Sequence, residues 1–307
     1  MSPLLPEGCG VALVTPFQSD GTQDLPALRH MVEHVLAGGV DFIVVLGTTG
    51  EAAAQTTEEH FQVLQTIHDQ VNGRVPLVAG PFGGSGTQSV IDRMVAYADI
   101  LALPGYVALM SAVPSYVKPS QEGLYQHFMA LAEASPLPIL LYNVPGRTGV
   151  NMTAETTVRL AKSSTKFIGV KEASGDMSQG VELLRDSPQN FSIYSGDDPT
   201  AMTLIAAGAR GIISVVANAY PRMFSEMSRA AVNGNLNKAR RFNAPFIDVH
   251  PLLYVDGNPS GIKAVLDQLG HCSDTVRLPL VAVSEDTRQS LALEVLKLEA
   301  ARVPGLA

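Results

Sequence analysis

The sequence predicts an α/β protein, a (β/α)₈ TIM barrel followed by a C-terminal extension of three helices. Short runs rich in valine and isoleucine recur along the chain, and amphipathic helical stretches separate them. Each run is apolar almost throughout rather than alternating, which is typical of a parallel strand that is covered on both faces. Strands and helices that alternate in this way between residues 10 and 232 favour a closed barrel.

The predicted elements follow one another in regular order. The strands are expected at 10–17, 41–47, 75–80, 106–113, 138–143, 167–173, 191–196 and 211–216. The helices are expected at 24–36, 57–71, 87–103, 121–134, 153–162, 177–186, 198–207 and 218–232. Thr57 and Thr153, each followed by acidic residues, are the clearest candidates for helix N-caps.

A doubly wound open sheet is the alternative architecture. That fold usually has a glycine-rich phosphate-binding turn after its first strand, and TPFQSDGTQD at 15–24 is not such a turn. Beyond residue 232 the strand pattern stops, and helices are expected at 235–254, 259–270 and 284–303. We therefore predict a catalytic barrel over 1–232 and a C-terminal helical domain over 233–307.

Composition narrows the possible functions. Hydrophobic residues make up 46% of the 307-residue chain, and the net charge is −8, which argues against a nucleic-acid partner. The only two cysteines, Cys9 and Cys272, lie far apart, as expected in a reducing compartment. No run approaches the ~20 apolar residues of a membrane span, and the N-terminus does not resemble a signal peptide. We expect a cytoplasmic protein with no membrane partner.

In a barrel of this type, the active site lies where the strands end at their carboxyl termini. Four segments with useful chemistry fall there: GTTGE at 47–51, YNVPGRTG at 142–149, the strand that contains Lys171, and SGDD at 195–198. We expect their polar side chains to converge on one face of the barrel.

Lys171 is the central candidate. It follows the apolar residues FIGV directly, and no other lysine lies inside a strand-like run. If the side chain points into the barrel, desolvation favours the neutral, nucleophilic amine, which can form a Schiff base with a ketone. The alternative is an ion pair with Glu172 or with an aspartate of the SGDD segment.

The neighbouring segments suggest a site for small acids. Thr48 and Thr49 lie between two glycines at the start of a predicted helix, where backbone N–H groups and hydroxyls could bind a carboxylate. The alternative is a plain turn in which the threonines cap the helix. Tyr142 ends a buried strand, where a phenol needs a partner or takes part in proton transfer. Arg147 is placed to bind a second carboxylate, unless it is an ordinary surface arginine.

Two other motifs carry less weight. His30, Glu33 and His34 match the HxxEH zinc pattern. We expect them on the outer, solvent-facing side of their helix, because Leu28, Met31, Val32 and Val35 form its buried stripe. The glycine-rich GPFGGSG at 80–86 lacks the ending of a phosphate loop and reads as a flexible loop at the same barrel face.

Together these stretches resemble one family, the pyruvate-dependent barrels that include dihydrodipicolinate synthase and N-acetylneuraminate lyase. The matching elements run in the family's order over nearly the whole chain: GVALVTPF, GTTGE, YNVPGRTG, GVKEASGD, YSGDD, GIISVVAN and, at 258–263, NPSGIK. The resemblance implies that Lys171 forms the Schiff base with pyruvate and that Tyr142 shuttles protons. It implies no metal and no organic cofactor.

The resemblance also assigns substrate contacts and a partner subunit. Thr48 and Thr49 correspond to the residues that hold the pyruvate carboxylate, and Thr49 also serves in a proton relay. Gly196 and Ile213 fall among the substrate-binding positions. Tyr116 corresponds to a relay tyrosine that a neighbouring subunit contributes, so a homo-oligomer, a dimer or a tetramer, is implied.

Arg147 favours the synthase subgroup, in which this position binds the carboxylate of the second substrate. The implied reaction is condensation of pyruvate with L-aspartate 4-semialdehyde, a step toward diaminopimelate and lysine. The alternatives are a related aldolase, dehydratase or deaminase that acts on another 2-oxo acid, a non-catalytic paralogue that binds a small acid, and, more remotely, a metal-dependent hydrolase.

The chain departs from the family pattern at several places, including a few extra residues near strand 4, at ALPGYVALM. Family synthases often have two tyrosines where this chain has Ser115 and Tyr116. Thr57, Gly84 and Gln88 stand where feedback-sensitive members have His, Asn and Glu. We therefore expect weak or absent inhibition by lysine.

Overall fold

The computed structural model describes residues 5–300, in which eight parallel strands close into a barrel in sequence order. This confirms the predicted (β/α)₈ architecture, and every predicted strand is present. The strands are β1 (Gly8–Ala12), β2 (Phe42–Val45), β3 (Leu77–Ala79), β4 (Tyr106–Ala112), β5 (Ile139–Asn143), β6 (Phe167–Glu172), β7 (Ser192–Ser195) and β8 (Gly211–Ser214).

The helices that surround and follow the barrel mostly have the predicted bounds. They are α1 (Leu25–Ala37), α2 (Thr57–Val71), α3 (Thr87–Ala96), α4 (Ala98–Leu101), α5 (Gln121–Ala134), α6 (Pro145–Thr148), α7 (Ala154–Ser163), α8 (Met177–Asp186), α9 (Asp198–Ala206), α10 (Pro221–Val232), α11 (Leu236–Asn243), α12 (Val249–Leu252), α13 (Ser260–Gln268) and α14 (Glu285–Ala300). None of these helices is long and apolar enough to cross a membrane.

Three helix predictions were wrong in detail. The helix expected at 87–103 is interrupted at Tyr97, whose buried hydroxyl lies 2.6 Å from His60 Nδ1. The stretch 235–254 forms two helices with a 3₁₀ turn between them, because Pro245 has no N–H to donate. The N-cap of α2 is Thr56 rather than Thr57, and it forms a capping box with Glu59.

The barrel has two apolar layers, one inside it and one between the strands and the helices. Successive strand residues point to opposite layers. On β5, Leu140 and Tyr142 point inward, while Ile139 and Leu141 pack against the helices. The interior is therefore filled by side chains, which are Leu5, Ala12, Phe42, Val44, Val78, Ala108, Met110, Leu140, Tyr142, Val144, Ile168, Tyr194 and Ile213.

Candidate active site

A β-bulge in β6 determines which way Lys171 points. The strand pairs with β5 at Phe167 and next at Gly169, so Ile168 is an extra residue. Phe167 packs in the outer layer, and in a regular strand Lys171, four residues on, would face the same way. The bulge reverses this direction. Lys171 pairs with the inward-facing Tyr142 and therefore points into the barrel.

Inside the barrel, Lys171 is buried with 4% of its surface exposed. Its Nζ lies 4.7 Å from the centroid of the Tyr142 ring. Glu172 points the other way and accepts hydrogen bonds from Asn143 Nδ2 and Gln179 Nε2. The proposed ion pair with Glu172 is therefore wrong, and within residues 5–300 no carboxylate forms an ion pair with Lys171.

Gly196 and Ile213 form parts of the wall around this lysine. A Cβ atom at Gly196 would lie 2.8 Å from Lys171 Cγ and 2.9 Å from its Cε, and 2.7 Å from Ala173 Cβ. A side chain at this position would therefore displace the lysine. Ile213, fully buried on β8, belongs to the same interior cluster as Tyr142.

The GTTGE loop presents unused backbone donors. Leu46 and Glu51, on either side of its glycines and threonines, have positive φ angles of 56° and 53°. Such strained residues concentrate at functional sites. Within residues 5–300, the N–H groups of Thr48 and Thr49 donate to no other residue. A 3₁₀ turn over Ala52–Ala54 follows, so the loop does not open an α-helix directly as the sequence suggested.

Arg147 lies on the short helix α6 and contacts Asn258 of the C-terminal segment. Its guanidinium is exposed, and Nη2 lies 3.4 Å from the backbone oxygen of Asn258. Within the described residues it has no ion-pair partner, so its charge is available to an acid.

Tyr116 does not join this site within a single chain. Its backbone N–H donates to the oxygen of Thr148 at 3.3 Å, which places the segment beside the turn that carries Arg147. The side chain is 89% exposed, however, and the backbone has a positive φ of 71°. The ring therefore projects away from the chain to which it belongs.

Sequence reasoning missed the contribution of Asn258. This buried residue from the C-terminal segment donates from Nδ2 to Thr49 Oγ1 at 3.1 Å. The only signal was its place as the first residue of NPSGIK, which does not reveal what it contacts. The contact spans more than two hundred positions of sequence and exists only because the C-terminal segment packs on the barrel.

The HxxEH residues lie opposite the buried stripe of α1, as predicted, and His30 is exposed, but Glu33 and His34 are partly covered. Glu33 binds Arg74 Nη1 at 2.8 Å, and the ring of His271 packs on His34 with centroids 3.8 Å apart. This face of α1 is therefore partly covered rather than open to solvent. Burial lowers the pKa of His34, and it lowers that of His271 to about 4 with help from the neighbouring histidines. Across residues 5–300, no group of three or more His, Cys, Asp or Glu is arranged to hold a metal ion.

Comparison with known proteins agrees with this geometry. The model of the dihydrodipicolinate synthetase family matches residues 5–298. The chain belongs to this family. A 4-hydroxy-tetrahydrodipicolinate synthase of Phocaeicola vulgatus is 46% identical over 275 residues, which cover 90% of this chain and 91% of that protein.

Solved structures of family members share the whole fold. The chloride-inhibited dihydrodipicolinate synthase of Acinetobacter baumannii, complexed with pyruvate, superposes with a TM-score of 0.91 at 39% identity, covering 95% of this chain and 99% of that one. The Cyanidioschyzon merolae synthase with lysine bound has a TM-score of 0.89 at 34% identity, covering 96% and 98%.

Proposed function

We propose that this protein is a Schiff-base lyase that condenses pyruvate with L-aspartate 4-semialdehyde to give 4-hydroxy-tetrahydrodipicolinate. The observation that carries the proposal is Lys171, an amine buried inside the barrel against Tyr142 with no carboxylate to neutralise it. A buried amine without an ion-pair partner is suited to attack a carbonyl. Family membership supports the same chemistry.

The reaction begins when Lys171 Nζ attacks the C2 carbonyl carbon of pyruvate. The carbinolamine that forms loses water, and an imine joins C2 to the lysine. The phenol of Tyr142, whose ring lies against the amine, gives a proton to the departing oxygen and recovers it in later steps. The imine is a better electron sink than the ketone, so a methyl proton of pyruvate becomes acidic.

Loss of that proton gives an enamine, which is the carbon nucleophile. Its C3 attacks the aldehyde carbon of the second substrate, forming the new carbon–carbon bond, and the resulting alkoxide takes up a proton. The amino group of the second substrate then attacks C2 and releases Lys171. Every step uses side-chain amines, phenols and hydroxyls, so the proposed reaction requires no cofactor.

Two positions bind the acid groups. The free N–H groups of Thr48 and Thr49, with their hydroxyls, bind the pyruvate carboxylate, while Gly196 and Ile213 leave room for its imine. Arg147 binds the carboxylate of the semialdehyde, which fits its exposed and unpaired guanidinium.

A borohydride trapping experiment tests the class of reaction. Pyruvate and borohydride are expected to leave a stable adduct on Lys171, located by peptide mass spectrometry. Lys171→Ala should abolish the adduct, whereas the exposed-lysine control Lys162→Ala should keep it. A wild-type protein that forms no adduct, or forms it elsewhere, contradicts the proposal.

A kinetic experiment tests the second substrate. Arg147→Ala is expected to lower kcat/KM for L-aspartate 4-semialdehyde by about 100-fold, because a charge-assisted bidentate contact is lost. The pyruvate concentration that gives half-maximal trapping should stay the same. An unchanged kcat/KM would remove Arg147 as the carboxylate anchor.

We also propose that the active enzyme is a homo-oligomer in which Tyr116 completes the site of a neighbouring subunit. The side chain is almost fully exposed on a strained backbone, and the adjacent Val117 is 54% exposed. A tyrosine and a valine displayed in this way are typical of an interface core.

Subunit complementation tests this sharing. Tyr116→Phe and Lys171→Ala are each expected to be nearly inactive alone. Unfolding and refolding them together should restore about a quarter of wild-type activity, because half the dimers then carry one intact site. If Tyr116 acts within its own chain, mixing restores nothing.

We place the enzyme in the cytoplasm. Cys9 and Cys272 are both buried and unpaired, which suits a reducing compartment. Burial raises the pKa of the Cys9 thiol well above its ordinary value and raises that of Cys272 to about 12. Neither cysteine therefore forms the thiolate that redox chemistry requires.

A further inference from the structure

The GTTGE loop is held by the C-terminal segment through a fully buried ion pair. Lys263 on α13 donates from Nζ to Glu51 Oε1 at 2.5 Å, and neither side chain is exposed by more than 1%. Lys263 also donates to the oxygen of Thr275 at 2.8 Å, and the second oxygen of Glu51 accepts from the N–H of Arg277 at 3.0 Å. Both oxygens of Glu51 and two of the three Nζ protons of Lys263 therefore have hydrogen-bond partners, and Nζ also lies 4.3 Å from the centroid of the Phe17 ring.

Such a pair is a costly way to stabilise a fold. Removing two charges from water costs several kcal/mol per ion, and a well-packed apolar pair often does as well. Glu51, however, is also the residue with a left-handed backbone at the end of the GTTGE loop. A left-handed conformation persists only where the surroundings enforce it. The contact from Lys263 holds the Glu51 carboxylate and so constrains this backbone, in the same loop as the N–H groups of Thr48 and Thr49.

A second contact from the same segment acts on the loop's hydroxyl. The Asn258 amide nitrogen donates to Thr49 Oγ1, so the oxygen's lone pair on that side is occupied. Because an amide N–H₂ group cannot accept, the Thr49 hydroxyl proton must point elsewhere. Thr49 is only 2% exposed, and within residues 5–300 its hydroxyl donates to no other group, so the proton is available to a molecule bound at this loop.

We propose that Lys263 and Asn258 are positioning residues through which the C-terminal helical segment assembles the pyruvate site: Lys263 sets the backbone of the GTTGE loop, and Asn258 sets the direction of the Thr49 hydroxyl. The inference rests on the proposed function, since it assumes that pyruvate binds at this loop. It assigns the C-terminal segment a role in the chemistry as well as in the fold.

Asn258→Asp tests the role of the amide. The change keeps the shape but replaces the donor by an acceptor, so Thr49 must turn its proton toward residue 258. With pyruvate saturating and no second substrate, the borohydride adduct should still form. Exchange of the pyruvate methyl protons for deuterium, followed by NMR, should slow at least about tenfold, because this exchange needs the relay. The matched control is Asn235→Asp, an N-cap position where aspartate serves equally well.

The ion pair is tested with the double variant Glu51→Gln, Lys263→Met. Either single change leaves a buried charge without its partner and risks unfolding, whereas the double change leaves none. The double variant should keep its melting temperature within a few degrees. Its half-saturating pyruvate concentration in the trapping assay should rise about tenfold, since the loop donors lose their fixed direction.

The results separate this inference from the proposed function. Wild-type protein that forms no pyruvate adduct contradicts the function itself. A normal wild-type adduct together with unchanged methyl exchange in Asn258→Asp overturns the role of Asn258. Unchanged half-saturation in the folded double variant overturns the role of Lys263.

Discussion

Single residues decide how much room Lys171 has. The lysine stem passes directly under Gly196, where even a methyl group would overlap two of its carbons. Glycine is needed here for space and not for backbone conformation, since its φ is not in the left-handed region. The Nζ atom of the same side chain also lies 4.7 Å from the centroid of the Tyr142 ring, so the lysine is held by both residues.

Gly196→Ala is therefore expected to displace the reactive amine. We expect kcat/KM to fall at least about tenfold and pyruvate adduct formation to slow, because small misplacements of reacting groups are costly. The melting temperature should change little. In the control Gly86→Ala, the new Cβ meets nothing closer than Ser89 Oγ at 3.5 Å, and activity should be retained. Equal activity of Gly196→Ala and wild type would contradict this reading.

The expectation of weak or absent inhibition by lysine rests on three other single residues. Thr57 begins α2, Gly84 precedes α3, and Gln88 in α3 donates to Asp92 Oδ1 at 2.8 Å. None of the three provides the imidazole or carboxylate expected in feedback-sensitive members. Millimolar L-lysine is therefore expected to leave the steady-state rate nearly unchanged, and inhibition at micromolar lysine would show this prediction to be wrong.

At the scale of elements, the β6 bulge matters most. One extra residue in this strand exchanges the two faces beyond it, so Lys171 enters the barrel while Glu172 joins the outer polar network with Asn143 and Gln179. Gly169 permits the bulge, because a Cβ there would lie 2.3 Å from the backbone oxygen of Ser192 on β7.

Gly169→Ala is expected to disturb both stability and activity. A backbone oxygen in a strand cannot move aside, so the free energy of unfolding should fall by about 2–3 kcal/mol, measured by denaturant titration. The folded fraction should also form the Lys171 adduct more slowly. The contrasting control is Gly180→Ala on α8, where the crowded atom is the side-chain Cδ1 of Leu204 rather than a backbone atom and alanine favours the helix. Equal stability of the two variants would count against a rigid bulge.

Across the whole molecule, buried histidines link stability to pH. Burial is the largest cause of a lowered pKa at His60 and His250, and it lowers the pKa of His127 to about 4. As pH falls below 6.5, the ordinary pKa of histidine, these side chains become protonated in the unfolded chain but stay neutral in the folded one. The contribution of these histidines to the free energy of unfolding is therefore fully present above pH 6.5 and is lost progressively as pH falls toward 4.

His127→Gln should weaken this dependence. His127 is 6% exposed, so replacing it is expected to reduce the loss of unfolding free energy between pH 7 and pH 4.5 by about 2 kcal/mol. The control Thr87→Val removes the hydroxyl 2.9 Å from His127 Nδ1 but keeps the ring, so the pH dependence should remain. Urea titrations at pH 7 and pH 4.5 measure the free energy of unfolding of both variants. If His127→Gln loses as much of it between the two pH values as wild type does, His127 is not the source of the pH dependence.

The sequence predicted the barrel well because its signals are local. Uninterrupted apolar runs indicate parallel strands, and the spacing of Val32 and Val35 indicates the buried stripe of α1. The helix at 87–103 was predicted too long because the burial of Tyr97 beside His60 is a tertiary event. The domain division at residue 232 stays a prediction.

By itself, the sequence determined the strand order, the barrel, and the set of residue types gathered at the carboxyl ends of the strands. It left open whether Lys171 pairs with Glu172, because the direction of a strand side chain depends on a one-residue bulge that local pattern does not reveal. It also could not show that Asn258 and Lys263 contact the GTTGE loop. Only the packed C-terminal segment decided those contacts, because they join residues that lie far apart along the chain.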